Sequence, residues 1–186
     1  FLLLTFEQNY AIRFIENQER RLKMKIKVLP RAECFAAAHG WGIEYGIADF
    51  DVPTLIISIS SYDTPIPNAL AIDAKKKPDI IKHVEYCQFD DIDCKEPVKG
   101  LIPMRDVDAQ RIIRAVEKWK DKVDQIVVHC DAGYSRSPAV AAALALALNG
   151  KGADDEFFVK GNYCPNMHVY NTMLKELDAR GYFDDL

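Results

Sequence analysis

The segment His129-Cys130-Asp131-Ala132-Gly133-Tyr134-Ser135-Arg136-Ser137 gathers the residue types that could do chemistry in this chain. It follows the β-branched run Gln125 to His129 and precedes the alanine-rich stretch Ser137 to Leu148. That order reads as a strand, a tight loop and a helix N-terminus. Backbone N–H groups of such a loop can turn inward, and the helix dipole adds positive potential. The product is an anion cradle lined by Asp131, Ala132, Gly133, Tyr134 and Ser135. Gly133 frees the backbone for a conformation that a side chain would resist. Arg136 can close the ring with a planar guanidinium suited to gripping two phosphate oxygens. The same positive field favours a thiolate at Cys130. A thiolate facing a cradled phosphate is a nucleophile for phosphoryl transfer.

Plainer readings of the same residues compete with this one. A cysteine at a strand end is often just a buried thiol, but Gly133, Arg136 and the helix start beside Cys130 argue against that. Gly133-Tyr134-Ser135 resembles half of a serine nucleophile elbow, yet Ser137 stands where the second glycine is needed. Cys164 and His168, or Cys87 and Cys94, lack zinc-finger spacing and a matching second half, so no metal is assigned. Lys75-Lys76-Lys77 before Pro78 reads as a solvated loop. Asn166 reads as the cap of the last helix, with a weaker option of supporting the loop.

The elements that must position the loop alternate between strand and helix patterns, which favours an α/β fold with a mostly parallel sheet flanked by helices. Strands are expected at 25–29, 54–60, 84–88 and 125–129. Helices are expected at 31–38, 106–120, 137–148, 153–159 and 166–179. The 137–148 segment is apolar all round, which places it centrally in the core. Prolines 53, 65, 67, 78, 97 and 103 punctuate the loops. With 186 residues the chain suits one domain, read as 24–186. Residues 1–23 read as an extension, helical by the recurrence of Leu3, Phe6, Tyr10 and Phe14, or non-native.

Composition excludes other classes. The chain is 49% hydrophobic and 28% charged, a globular balance. Its net charge of −4 does not indicate a strongly basic face for nucleic acid or anionic lipid, and leaves room for a local cationic pocket. The longest apolar run, 139–148, is far short of the roughly 20 residues that span a bilayer. Five cysteines without a C-x-x-C suggest a reducing, cytoplasmic setting.

His-Cys, five residues, then Arg-Ser resembles the signature loop of the cysteine-dependent protein tyrosine phosphatases. The Gly-Tyr-Ser-Arg-Ser form is most similar to the compact dual-specificity branch and its small bacterial-type members. The resemblance implies a dual-specificity-phosphatase-like fold and a two-step reaction through a phosphocysteine. Cys130 would attack phosphorus and Arg136 would hold the equatorial oxygens. Ser137 would donate a hydrogen bond to the sulfur, and His129 would orient the loop. No cofactor is implied. Tyr86-Cys87-Gln88-Phe89-Asp90-Asp91 resembles the strand end that delivers the family's catalytic aspartate. Asp90, Asp91 and Asp93 all qualify, with Asp91 preferred.

The expected substrate is a phosphorylated protein, phosphotyrosine first and phosphoserine or phosphothreonine second. Asp131 in the loop would repel a polyanion, and Trp41, Tyr45 and Tyr134 could line a rim for an aromatic ring. Two alternatives remain: a phosphatase of RNA 5′ ends, nucleotides or phosphosugars, and a module that captures phosphoproteins without turnover. A reversible disulfide from Cys87 or Cys94 to Cys130 would protect the nucleophile. The sequence does not give the oligomeric state.

Overall fold

The computed structural model describes residues 23–65, 68–93, 98–159 and 161–184. The expected 1–23 extension, apart from Lys23, lies outside them, as do Pro67, Cys94 and Pro97. Four strands carry the fold: β1 (Lys25–Pro30), β2 (Thr54–Ser60), β3 (Ile81–Gln88) and β4 (Gln125–Cys130). They form one sheet in the order β1-β4-β2-β3, and every pairing is parallel. The helices are α1 (Arg31–His39), α2 (Ala69–Lys76), α3 (Asp106–Trp119), α4 (Arg136–Asn149) and α5 (Met167–Asp178).

The two central strands are buried at every position, as expected of parallel strands covered on both faces. Period-2 alternation divides their side chains between two cores. Leu55, Ile57, Ile59, Ile126, Val128 and Cys130 face one side, where α3, α4 and α5 pack. Ile56 and Val127 face the other, against Cys34, Ala37 and Ala38 of α1 and Leu70 of α2. The small residues of α4 are buried from Arg136 through Ala145. They let that helix lie close to the sheet and to α5, as its all-round apolar pattern predicts.

Three expectations need correction. α2 was not anticipated; its face is short, with only Leu70 and Asp73 buried, and prolines crowd both sides. Lys75 and Lys76 form its last turn rather than a loop, and Lys77 Nζ donates to the Ala38 carbonyl at 2.9 Å. β3 begins at Ile81 rather than 84, because an edge strand with one half-exposed face alternates polar residues early. The 153–159 helix is only a 3-10 turn over Asp155–Phe158.

Candidate active site

Ligand sites of open parallel sheets lie beyond the carboxyl ends of the strands, and the segment at 129–137 lies at that edge. β4 ends on Cys130, residues 131–135 turn, and α4 starts at Arg136. Gly133 makes the turn possible: its φ is +68°, and a Cβ there would sit 2.6 Å from the Pro30 nitrogen. The loop is therefore pressed against the end of β1. From Ala132 to Ser135, no backbone N–H donates to a carbonyl among the described residues. Those donors remain for an anion.

Cys130 is 2% exposed, and its Sγ lies 3.1 Å from the Ser137 hydroxyl in the first turn of α4. The buried thiols differ from it in setting. Burial alone pushes Cys34 up, and burial pushes Cys87 up to about 12, so neither offers a thiolate near neutral pH. His129 is fully buried with its ring edge-on to Phe35. Its Nδ1 faces the Cys130 carbonyl at 3.5 Å, and desolvation pushes its pKa down to about 4. His129 is thus neutral at pH 7, and its influence on the sulfur cannot be that of a full positive charge.

Arg136 is nearly buried and held from several sides. Its Nη1 donates to the Phe89 carbonyl at 3.0 Å and to Ser61 Oγ at 3.3 Å. Its Nη2 donates to Asp131 Oδ2 at 2.6 Å. Its Nε has no hydrogen-bond partner among the described residues and lies 3.9 Å from Asp91 Oδ2. Asp131 in turn pairs through Oδ1 with Arg31 Nη2 at 2.6 Å. The Asp131 carboxylate, expected to repel a polyanion, is thus shared between two guanidiniums.

The three candidate aspartates separate by their partners. Asp90 is buried and accepts the backbone N–H groups of Tyr62 at 3.1 Å and Ile102 at 2.7 Å, which makes it a brace for the chain around it. Asp93 accepts the His168 N–H at 2.7 Å, at the start of α5. Asp91 alone of the three touches the loop. Its Oδ1 accepts from Ser135 Oγ at 2.7 Å and from Asn166 Nδ2 at 2.9 Å, which leaves Oδ2 toward Arg136.

Asn166 caps α5 as anticipated, its side chain accepting from Val169 N–H at 3.0 Å. It also donates its own N–H to the Ser135 carbonyl at 3.1 Å. One residue therefore joins α5, the loop and Asp91. Sequence reasoning offered the cap and, as its weaker option, the loop contact; it missed the hold on Asp91, and it missed Arg31. The available signal for Arg31 was its position, an arginine directly after a strand that ends at the loaded edge of the sheet.

Other expected contributors are not brought to the loop. Trp41 lies beyond the far end of α1 from Arg31, stacked edge-on against His39; the Tyr45 side chain lies outside what is described. Tyr134 does stand on the rim, 50% exposed, with its carbonyl accepting from Cys164 N–H at 2.9 Å. Cys164 is an exposed free thiol, and His168 Nε2 pairs with the Met104 carbonyl at 2.8 Å. Cys87 cannot reach Cys130. β2 lies between their strands, with Ile59 opposite Cys87 and Ser58 opposite His129. Two strand spacings, about 9–10 Å, exceed the roughly 7 Å that a disulfide tolerates between Cα atoms. A cleft of about 540 Å³ lined by Asp93, Met104, His168 and Lys175 includes no residue of the loop. Among the described residues no helix is long and apolar enough to cross a membrane.

No family model and no curated protein matches the chain. Among solved structures, it is similar to Tk-PTP in the active form, at 17% identity over 83% of this chain and 90% of that one, with a TM-score of 0.49. It is similar to PTPMT1 in complex with PI(5)P at 15% identity over 87% and 97%, with a TM-score of 0.48. A further PTPMT1 structure aligns at 15% identity over 87% and 96%, with a TM-score of 0.47. Likenesses this loose carry no chemical argument, and the reading of the site rests on its own geometry.

Proposed function

We propose that this chain is a cysteine-dependent phosphatase that hydrolyses phosphomonoesters through a phosphocysteine. The supporting observation is a convergence at one strand end: the Cys130 sulfur beside Ser137, the Arg136 guanidinium, and Asp91 tied to the same loop. In the first step the Cys130 thiolate attacks phosphorus and the bond from phosphorus to the leaving oxygen breaks. Asp91 Oδ2, which accepts no hydrogen bond among the described residues, supplies the proton to that oxygen. Arg136 and the loop N–H groups hold the three equatorial oxygens, where charge sits in a loose transition state. In the second step a water gives its proton to Asp91 and attacks phosphorus. Ser137 donates to the departing sulfur, inorganic phosphate leaves and the thiolate is restored.

The preferred substrate is phosphotyrosine on a protein, supported by half-exposed Tyr134 on the rim, with phosphoserine and phosphothreonine as secondary substrates. The test is hydrolysis of p-nitrophenyl phosphate against pH in EDTA, followed by phosphotyrosine and phosphoserine peptides. Wild type should turn over despite EDTA with an optimum on the acid side of neutrality. Cys130→Ser should lose at least about 10⁴-fold in kcat. Asp91→Asn should lose about 10²- to 10³-fold and the basic limb of its profile. An inert wild type that still binds orthovanadate would move the reading to a phosphate-capturing module.

A further inference from the structure

Arg136 has one edge suited to a two-point grip on a phosphate, formed by Nε and Nη2. At rest that edge is half occupied. Nη2 carries the Asp131 carboxylate at 2.6 Å, while Nε is buried and, among the described residues, without a hydrogen-bond partner. Asp131 therefore sits on a donor that a bound phosphoryl group needs. Its other oxygen is held by Arg31, whose Nη2 also donates to Ser60 Oγ at 3.0 Å. The Arg31 backbone N–H donates to the Asp131 carbonyl at 3.1 Å, so one residue grips both the main chain and the side chain of Asp131. Arg31 Nε is likewise buried and unpartnered. The side chains differ in freedom: Arg136 is 5% exposed, Arg31 22% and Asp131 44%. Of the three, Asp131 is the one with room to turn.

We infer that Asp131 is an internal stand-in for substrate phosphate on Arg136, and that Arg31 is the positioning residue that holds Asp131 aside when phosphate arrives. This inference rests on the reading of the loop as a phosphoryl site. On binding, a phosphate oxygen replaces Asp131 Oδ2 at Arg136 Nη2 and a second oxygen meets Nε. The displaced carboxylate stays paired with Arg31 instead of lying as an uncompensated negative charge beside a phosphate dianion. No bond is made or broken in this exchange, and specificity for a phosphoryl group comes from having two Arg136 donors to satisfy together.

The test compares wild type, Arg31→Met, Asp131→Asn and the double variant. It uses steady-state hydrolysis of p-nitrophenyl phosphate and calorimetric titration with inorganic phosphate. With Arg31 gone, Asp131 has only Arg136 to pair with, so KM and the phosphate Kd should rise about tenfold while kcat stays within about threefold. Asp131→Asn should bind phosphate at least about threefold more tightly than wild type. The double variant should return to within about threefold of wild type, since there is no carboxylate left to hold aside. A purely structural Arg31 would leave the double variant as impaired as the single one, and that result overturns the inference. If Arg31→Met does not fold, an unchanged phosphate Kd in Asp131→Asn overturns it alone. A wild type that turns over substrate while all variants match it removes the clamp and leaves the phosphatase reading intact. A wild type that neither hydrolyses nor binds phosphate removes both.

Discussion

His129 precedes Cys130, the proposed nucleophile, by one residue, is buried beside it, and is kept neutral by desolvation. Its folded pKa of about 4 lies below the ordinary 6.5. As pH falls below 6.5 the unfolded chain takes up the proton first, so stability present in full above 6.5 drains as pH approaches 4. The shift corresponds to on the order of 3 kcal/mol across that window. Urea unfolding of wild type between pH 7 and 4 should show this loss, and His129→Gln should flatten it; identical slopes in the two proteins would contradict the assignment. At this scale Cys130 and Arg136 were legible because spacing alone puts them at opposite ends of one turn. Asp91 was legible only as one of three, because the chain order says nothing about which carboxylate faces inward. Arg31 offered only its position after a strand as a signal, since its partner Asp131 lies far along the chain and no local pattern links them.

The N-terminus of α5 shows how an element can serve the site without touching substrate. Asn166 supplies a cap through its oxygen and holds Asp91 through its nitrogen. The two roles are separable. Asn166→Ala should lose about 1 kcal/mol of stability with the cap and also lower turnover. Asn166→Asp keeps a capping oxygen, so it should hold its Tm closer to wild type, yet it sets a second carboxylate against Asp91 in place of a donor. Its kcat should fall at least as far as that of the alanine variant. If Asn166→Asp is fully active, the contact to Asp91 does not matter for turnover. At this scale the central strands and α3, α4 and α5 were readable from long apolar patterns. The short α2 and the early start of β3 were not, because a helix with two buried residues and an edge strand with mixed polarity carry little periodic signal.

Across the whole molecule, the parallel sheet brings four separate stretches to one edge: Pro30-Arg31, Ser60-Ser61, Phe89 to Asp91, and the 130–136 turn. All contribute to the site, and each ends 28 or more positions before the next begins. The parallel order was expected from the alternation of strands and helices, whereas the strand sequence β1-β4-β2-β3 was not, because neighbours in a sheet need not be neighbours in the chain.

The contact of Gly133 with Leu29 and Pro30 has a kinetic meaning. β1 pairs with β4 at a register that joins Lys25 to Gln125, a hundred positions later, and among the described residues β1 has no other strand beside it. Loop-closure entropy is greatest for such distant pairings, so they are made slowly. The turn that would hold phosphate is completed only when that early strand docks. On dilution from denaturant, far-ultraviolet ellipticity should therefore recover ahead of phosphatase activity, and the lag should lengthen when β1 is weakened by Ile26→Ala. Simultaneous recovery would mean that the turn assembles without its distant support. A lag of that kind would make the phosphate-holding turn the last part of the fold to form.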